Sequence, residues 1–380
     1  MSIKPFTIDE DIRTAETLPA EVYHDPEVFV LQKERVFARS WQFVADARRL
    51  KSSGSVLPFT LLEGCLDEPL FLSRDEDGTL HALSNVCTHR GNLLVEGEGH
   101  VPGQALRCRY HGRRFGLDGG FLSMPEFDEA ADFPSPDDDL PSMPLREWAP
   151  FLFCGLDPAM PFNDWLAPVR ERVGWVPFET FVFDEAGSHD YLVNANWALY
   201  VDNYLEGFHI PFVHASSLGG TLDYGSYETE TFDYGVLQTG VASSGEPAFD
   251  LPDNHPDAGT RMAAYYVWLF PNLMLNVYPW GLSMNIVRPL GPERTKVSFL
   301  YFVGDENLRD QGAGADLDRV EMEDEEIVEQ VQRGVRSRLY DRGRYSPKRE
   351  KGPHHFHRLL AQFLFADGRP DTVDDSTEGD

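Results

Sequence analysis

Lysine is scarce in this sequence: six residues of 380, beside 27 arginines and 63 aspartates and glutamates, for a net charge of −30. So little positive charge repels both polyphosphate chains and anionic lipid, which argues against nucleic acid or a membrane surface as partners. Two readings of the acidity stay open, a solubility device and an adaptation to high salt. Long apolar runs are missing too, and no window approaches the roughly 18 residues of a membrane span. The opening stretch, MSIKPFTIDEDIR, has neither an apolar run nor a cleavage signal, so no secretory leader is expected. Cysteine is limited to Cys65, Cys87, Cys108 and Cys154. The expectation is a protein of the reducing cytoplasm, where paired cysteines more often bind metal than form disulfides.

What is present is enough apolar content, 42%, for about two domains of ordinary size. Residues 1–40 read as a helical N-terminal segment, with Val28, Leu31, Val36 and Phe37 at helical spacing. From 41 to 155 the texture changes to short apolar stretches cut by Gly, Pro and Asp, as in a small all-β domain, with a hairpin turn at Asp77-Gly78. The stretch 157–188 reads as a connection with a short helix. Residues 156–366 read as α+β: a helix over NANWALYVDNYLEGFHI ending at Pro211, strands within 261–303, and a long helix over 316–340. Residues 367–380 are acidic and expected to be disordered.

Two short motifs stand in the β region. CTHRG at 87–91 supplies Cys87 and His89, and CRYHGRRF at 108–115 supplies Cys108 and His111. Two thiolates and two imidazoles suit either tetrahedral zinc or a [2Fe–2S] cluster. Zinc sites usually pair like with like, whereas each loop here offers one of each; a two-iron cluster can place both cysteines on one iron and both histidines on the other. CxH followed by CxxH resembles the Rieske motif, and Tyr110 and Gly112 match that family's loop. Arg113 departs from it, since many ring-hydroxylating members have Trp there, and a changed packing or docking face is expected. Cys65 and Cys154 sit in apolar surroundings and read as small buried side chains.

In DNYLEGFHIPFVH, Asp202, Glu206 and His209 fall within about 60° on one helical face, beside an apolar face of Trp197, Val201, Tyr204 and Phe208. His214 follows five residues after His209. Two histidines with nearby carboxylates suit a ferrous site of two His and one carboxylate, or they are ordinary core histidines. On the 316–340 helix, Asp324 projects into a stripe of Leu317, Val320, Ile327, Val328, Val331 and Val335, where a carboxylate is costly unless paired or bound to metal. By the same projection Glu321 lies near the edge, and Glu323 and Glu326 point away. The HHFH stretch, with His354, His355 and His357, reads as the start of another helix and as structural. The aromatics Tyr265, Tyr266, Trp268, Phe270, Tyr278 and Trp280 either cage a cation or fill the core, and core is expected for most of them.

Taken together, these segments resemble the oxygenase (alpha) subunit of Rieske non-heme iron oxygenases over about 25–365. The NYLEGFH segment resembles the members acting on choline, betaine and carnitine. The resemblance implies an N-terminal Rieske domain, then a helix-grip (START/Bet v1-like) catalytic domain with an antiparallel sheet, with the 1–40 segment packed on the latter. It implies that Cys87, His89, Cys108 and His111 hold the cluster, and that His209, His214 and Asp324 hold mononuclear Fe(II). Glu206 would bridge electrons from His111 of a neighbouring subunit to His209 in a homotrimer, and Asp202, Asn203 and Tyr204 would stand behind the ligands. Electrons would come from NAD(P)H through a separate flavin/iron–sulfur reductase, with O₂ and a small organic molecule as substrates. Oxidation at a C–H bond next to a quaternary nitrogen is the expected reaction. Hydroxylation or dihydroxylation of an aromatic acid is the alternative, and a non-catalytic electron carrier with a ligand pocket the reading of another class.

Overall fold

The computed structural model describes residues 4–214, 224–309, 311–315 and 317–365, so the expected acidic tail lies outside the described residues. The chain forms two compact units, Ala38–Pro158 and, from two separate segments, Met1–Phe37 with Ala159–Asp380.

The Ala38–Pro158 unit is built of strands and turns. β2 (Ser55–Leu61), β3 (Glu68–Arg74), β4 (Leu80–Ser84), β5 (Gly99–His100) and β9 (Ser142–Met143) make a five-stranded sheet in the order β5-β2-β3-β4-β9. The β3–β4 hairpin closes through the expected Asp77-Gly78 turn, where Asp75 Oδ1 accepts from the amides of Asp77 and Thr79. A three-stranded sheet joins β1 (Gln42–Asp46), β11 (Phe151–Cys154) and β10 (Leu145–Trp148). A second joins β6 (Ala105–Arg107), β7 (Arg114–Gly116) and β8 (Phe121–Ser123). One core gathers Leu57, Leu61, Leu70, Leu72, Leu152 and Cys154. The other gathers Phe71, Leu83, Phe115 and Leu117 around Cys87 and Cys108, so the two motif cysteines are anchored in packed apolar side chains.

The other unit opens with α1 (Pro26–Gln32), capped by the Asp25 side chain. α2 (Phe162–Trp165) and α3 (Ala167–Val173) follow. A seven-stranded antiparallel sheet then runs β12-β18-β17-β16-β15-β14-β13. Its strands are β12 (Val182–Val193), β13 (Glu228–Phe232), β14 (Gly235–Val241), β15 (Met262–Leu269), β16 (Leu273–Tyr278), β17 (Gly281–Gly291) and β18 (Arg294–Val303). β12 takes part of the stretch read as a connection. It is an edge strand of mixed composition, half of it exposed and irregular between Asp184 and His189, and so lacks the alternation that marks a half-buried strand.

Packed in this unit are α4 (Trp197–Tyr204), α5 (Ile210–Val213), α6 (Leu317–Gly334) and α7 (Lys351–Phe365), with α4 against β17, α6 and α7. Asn196 caps α4 by accepting from the Ala198 amide. α4 ends at Tyr204, well before Pro211. The reason lies in Glu206, whose Oε2 accepts from the amides of Phe208 and His209 and so draws the chain out of the helical path. Pro211 then sits in the first turn of α5, where its missing N–H is tolerated. α6 ends at Gly334, short of the expected 340. Ile327 and Val331 face outward, 36% and 42% exposed, while Glu321, Val328 and Gln332 are buried.

Candidate functional site

Cys87 and Cys108 sit in two turns of the same construction. In each, the cysteine carbonyl accepts from the amide four residues on, Gly91 at 3.0 Å and Gly112 at 2.9 Å. The cysteine amide donates to the carbonyl five residues on, Asn92 at 2.9 Å and Arg113 at 2.8 Å. Both glycines have positive φ, +72° and +80°, a conformation other residues adopt only with strain. The second turn is the tip of the β6–β7 hairpin. Both cysteines are buried, and the His89 and His111 rings meet edge to face at 4.8 Å between centroids. Burial raises the Cys87 thiol, and its contact with the Cys108 thiol raises it further. Burial, then the charges of His111, Arg113 and Arg90, lowers the His89 pKa and favours the neutral, metal-binding imidazole.

Thiol is thus beside thiol and imidazole beside imidazole. Among the described residues, the one group of three or more His, Cys, Asp and Glu whose donor atoms come within 4.8 Å of one another lies elsewhere. These four donors therefore do not close on a single ion as zinc needs, and their division into two pairs fits a cluster of two irons. Arg113 points inward rather than onto a docking face and is 2% exposed. Its guanidinium bonds Asp138 Oδ1 at 2.5 Å and lies over the rings of Phe115, Phe121 and Phe133. The Asp138 carbonyl also accepts from Thr88 Oγ1 at 2.8 Å, so this one residue ties both cysteine loops together.

The group that does close is His209, His214 and Asp324. Asp324 Oδ1 lies 3.0 Å from His214 Nε2 and 3.6 Å from His209 Nε2, and accepts from Asn203 Nδ2 at 2.9 Å. Each imidazole has a carboxylate on its other nitrogen: Glu206 Oε1 is 2.7 Å from His209 Nδ1, and Glu323 Oε2 is 2.8 Å from His214 Nδ1. Such partners fix the tautomer and aim Nε2 at a metal. Burial acts to lower the His214 pKa, but the bonds to Asp324 and Glu323 outweigh it and the balance is upward. Two imidazoles and one carboxylate, with no further donor closing in among the described residues, are the donor set of non-heme Fe(II). Glu323, which the helix projection pointed away, was missed because His214 reaches α6 from outside its core-facing stripe.

A cavity of about 120 Å³ opens beside these donors. It is well below the roughly 300 Å³ at which pockets for drug-sized ligands begin, so its occupant is small. Tyr200, Tyr204, Tyr227, Tyr266, Tyr278 and Phe299 wall it, with Glu321 on α6. Of the strand aromatics, Tyr266 and Tyr278 reach the cavity, whereas Tyr265, Trp268 and Phe270 are buried outside its lining. Asp202 faces elsewhere, accepting from Tyr23 at 2.9 Å with His357 Nε2 at 2.6 Å. His357 Nδ1 contacts the Tyr345 hydroxyl at 2.5 Å, and His354 Nε2 the Asp9 carbonyl at 2.7 Å. His354 and His357 thus tie α7 to Asp9, Asp202 and Tyr345. Cys65 and Cys154 are buried, the Cys154 thiol pushed up to about 12 by that burial. Among the described residues no helix is long and apolar enough to cross a membrane.

Residues 40–137 match the Rieske [2Fe–2S] domain, and residues 175–366 match the catalytic domain of the ring-hydroxylating alpha subunit. The chain is 32% identical over 369 residues to choline monooxygenase of Arabidopsis thaliana, covering 92% of this chain and 83% of that one. It is 32% identical over 359 residues to the carnitine monooxygenase oxygenase subunit of Escherichia coli K12, covering 91% and 93%. Its structure is similar to that of the quaternary ammonium Rieske monooxygenase CntA, with a TM-score of 0.76 at 25% identity over 96% of this chain and all of that one. The chain therefore belongs to the ring-hydroxylating alpha-subunit family of Rieske oxygenases, oxidoreductases that carry a [2Fe–2S] cluster and a mononuclear iron.

Proposed function

We propose that this chain is the oxygenase component of a monooxygenase that oxidises a C–H bond beside the nitrogen of a small quaternary ammonium compound. The observation that carries this reading is the small aromatic cavity opening directly on His209, His214 and Asp324. Aromatic faces attract a quaternary ammonium through cation–π contact. In this reading Cys87, His89, Cys108 and His111 hold the cluster, and His209, His214 and Asp324 hold Fe(II), which supplies O₂ activation when bound. Glu206 holds the Nδ1 proton of His209 and, by its second oxygen, the backbone that positions that ring. Asn203 orients Asp324, and Glu323 orients His214.

Electrons enter from NAD(P)H through a separate flavin/iron–sulfur reductase, in the cytoplasm. The working form is a homotrimer in which His111 of one copy faces Glu206 of the next. In support, His111 is half-buried, its neighbour Tyr110 is 56% exposed, and Phe208 and Phe212 beyond Glu206 are exposed. An aromatic acid is the weaker reading, because no arginine or lysine lines the cavity among the described residues. A bare electron carrier leaves the His–His–Asp group without a purpose. Metal analysis separates it: the oxygenase holds about three irons per chain, the carrier about two. The deciding assay is substrate-dependent O₂ uptake with a surrogate reductase across quaternary amines and aromatic acids. Under labelled O₂ one label enters the product and one enters water. Two labels in the product, or uptake with aromatic acids alone, overturns the proposal.

A further inference from the structure

Glu321 projects from α6 into the same cavity and is 4% exposed. The Tyr200 hydroxyl donates to its Oε2 at 2.6 Å, while its Oε1 has no hydrogen-bond partner. An unpartnered carboxylate oxygen at that depth is unfavourable by itself. The other lining acids are engaged: Glu206 with His209 and the backbone, Asp324 with both imidazoles and Asn203. Glu321 is the lining acid with an oxygen to spare. No arginine or lysine lines the cavity among the described residues.

We infer that Glu321 selects substrate by charge, so that the site takes a quaternary ammonium alcohol and rejects a quaternary ammonium acid. This rests on the amine-oxidising reading above and narrows it. The cation completes the polar shell of Glu321 with its charge against Oε1, while the tyrosine faces cover its methyl groups. A substrate bearing its own carboxylate brings a second anion beside Glu321 with no guanidinium or ammonium to receive it, and that burial is opposed. A hydroxyl meets no such barrier, since Asn203, Asn276 and Asn285 offer neutral amides in the lining. Burial above all pushes the Glu321 carboxyl well above its ordinary range, only partly relieved by the Tyr200 bond, as expected of an acid whose counter-charge arrives with the ligand.

The test is calorimetric binding to the iron-loaded enzyme, without reductase, of choline, its uncharged isostere 3,3-dimethylbutan-1-ol, and glycine betaine. Choline should bind at least about tenfold more tightly than either of the others. Glu321→Gln, equal in size, should weaken choline at least about tenfold and change the isostere by no more than about twofold. Equal binding of choline and the isostere overturns the inference, as does betaine binding as well as choline, or a Gln variant that keeps the preference. The three-ligand comparison on the unaltered protein decides even if the variant does not fold. If O₂ uptake is driven by betaine or carnitine rather than choline, the amine-oxidising reading stands and the role of Glu321 falls. If aromatic acids alone bind and drive uptake, both fall.

Discussion

Arg113 and Glu321 are buried to a similar degree, one in each compact unit and each near a set of metal-binding side chains, yet they are handled in opposite ways. Arg113 has its counter-charge in Asp138 and aromatic faces around its plane. Its Nε has no hydrogen-bond partner, but its charge is met from within. Glu321 has only a neutral hydroxyl on one oxygen. The donor group beside it is open on two sides, for Glu206 lines both the cavity holding Glu321 and a second one bounded by Asp202, Val331, Tyr345 and His357. A buried charge with an internal partner holds loops in place; one without a partner is poised for something that arrives. The Cys–His unit needs no visitor to its interior, whereas the His–His–Asp unit has to receive one.

The sharpest way to break this contrast is Glu206→Gln. The amide keeps the size and can still reach Nδ1 of His209, so both metals should stay bound, with iron content and cluster absorbance unchanged. Turnover should fall below detection, because the proposed electron path loses the charge it places between His209 and a neighbouring copy. Full turnover in that variant would remove Glu206 from the electron path. A smaller effect is expected at Glu323→Gln, which leaves the ligands but weakens the hold on the His214 tautomer. Iron affinity or activity should drop by roughly 10- to 100-fold, read by iron retention under chelator, with the cluster spectrum unaffected. Smaller again for activity is Asp138→Asn, which strands the Arg113 charge and slackens its hold on the Thr88 loop. The cluster should bleach at a lower temperature, and Arg113→Met added to it should recover part of the loss, since an apolar replacement relieves a buried unpaired charge.

How much of this was legible differs between the units for a physical reason. The proposed cluster donors lie two and three residues apart inside rigid turns, so spacing narrows the chemistry to zinc or a two-iron cluster, and the likeness to a known motif decides between them. The strands within 261–303 and the helices of the α+β unit also show in the residue pattern, but β12, β13 and β14 do not; β12 is an irregular edge strand that exposes Val182, Phe183 and Leu192 beside its acids and so carries no clean alternation. The catalytic donors depend on which side of α6 faces what. Helical projection brings Asp324 into line, but it equates apolar with buried: Ile327 and Val331 face outward, while Glu321 and Gln332 are covered. Glu323 escapes projection because its partner, His214, comes from α5. Arg113 escapes it because Asp138 stands 25 residues away in an irregular segment. Pairing between distant polar groups is set by packing, and no local period encodes it.

The smallest effect sharpens the comparison through pH. The Ser135 amide first, then the Arg113 guanidinium, holds the Asp138 carboxyl below its ordinary 3.8. A depressed acid stabilises the fold above its unfolded pKa and loses that contribution as pH falls through the folded value. Its benefit should therefore be complete above about pH 4 and fade below it. Glu321 is shifted the other way, above its ordinary 4.5. The folded protein then holds a proton that the unfolded chain releases, so the unit gains from this group below about pH 4.5 and loses stability as pH rises above it. The difference between the unaltered protein and Asp138→Asn, followed by cluster absorbance on heating, should shrink on acidification toward pH 3. The deficit relative to Glu321→Gln, followed by tyrosine and tryptophan fluorescence, should grow from pH 4.5 toward pH 8. Differences of the same sign in both series would mean that Glu321 is balanced from within after all, as Arg113 is.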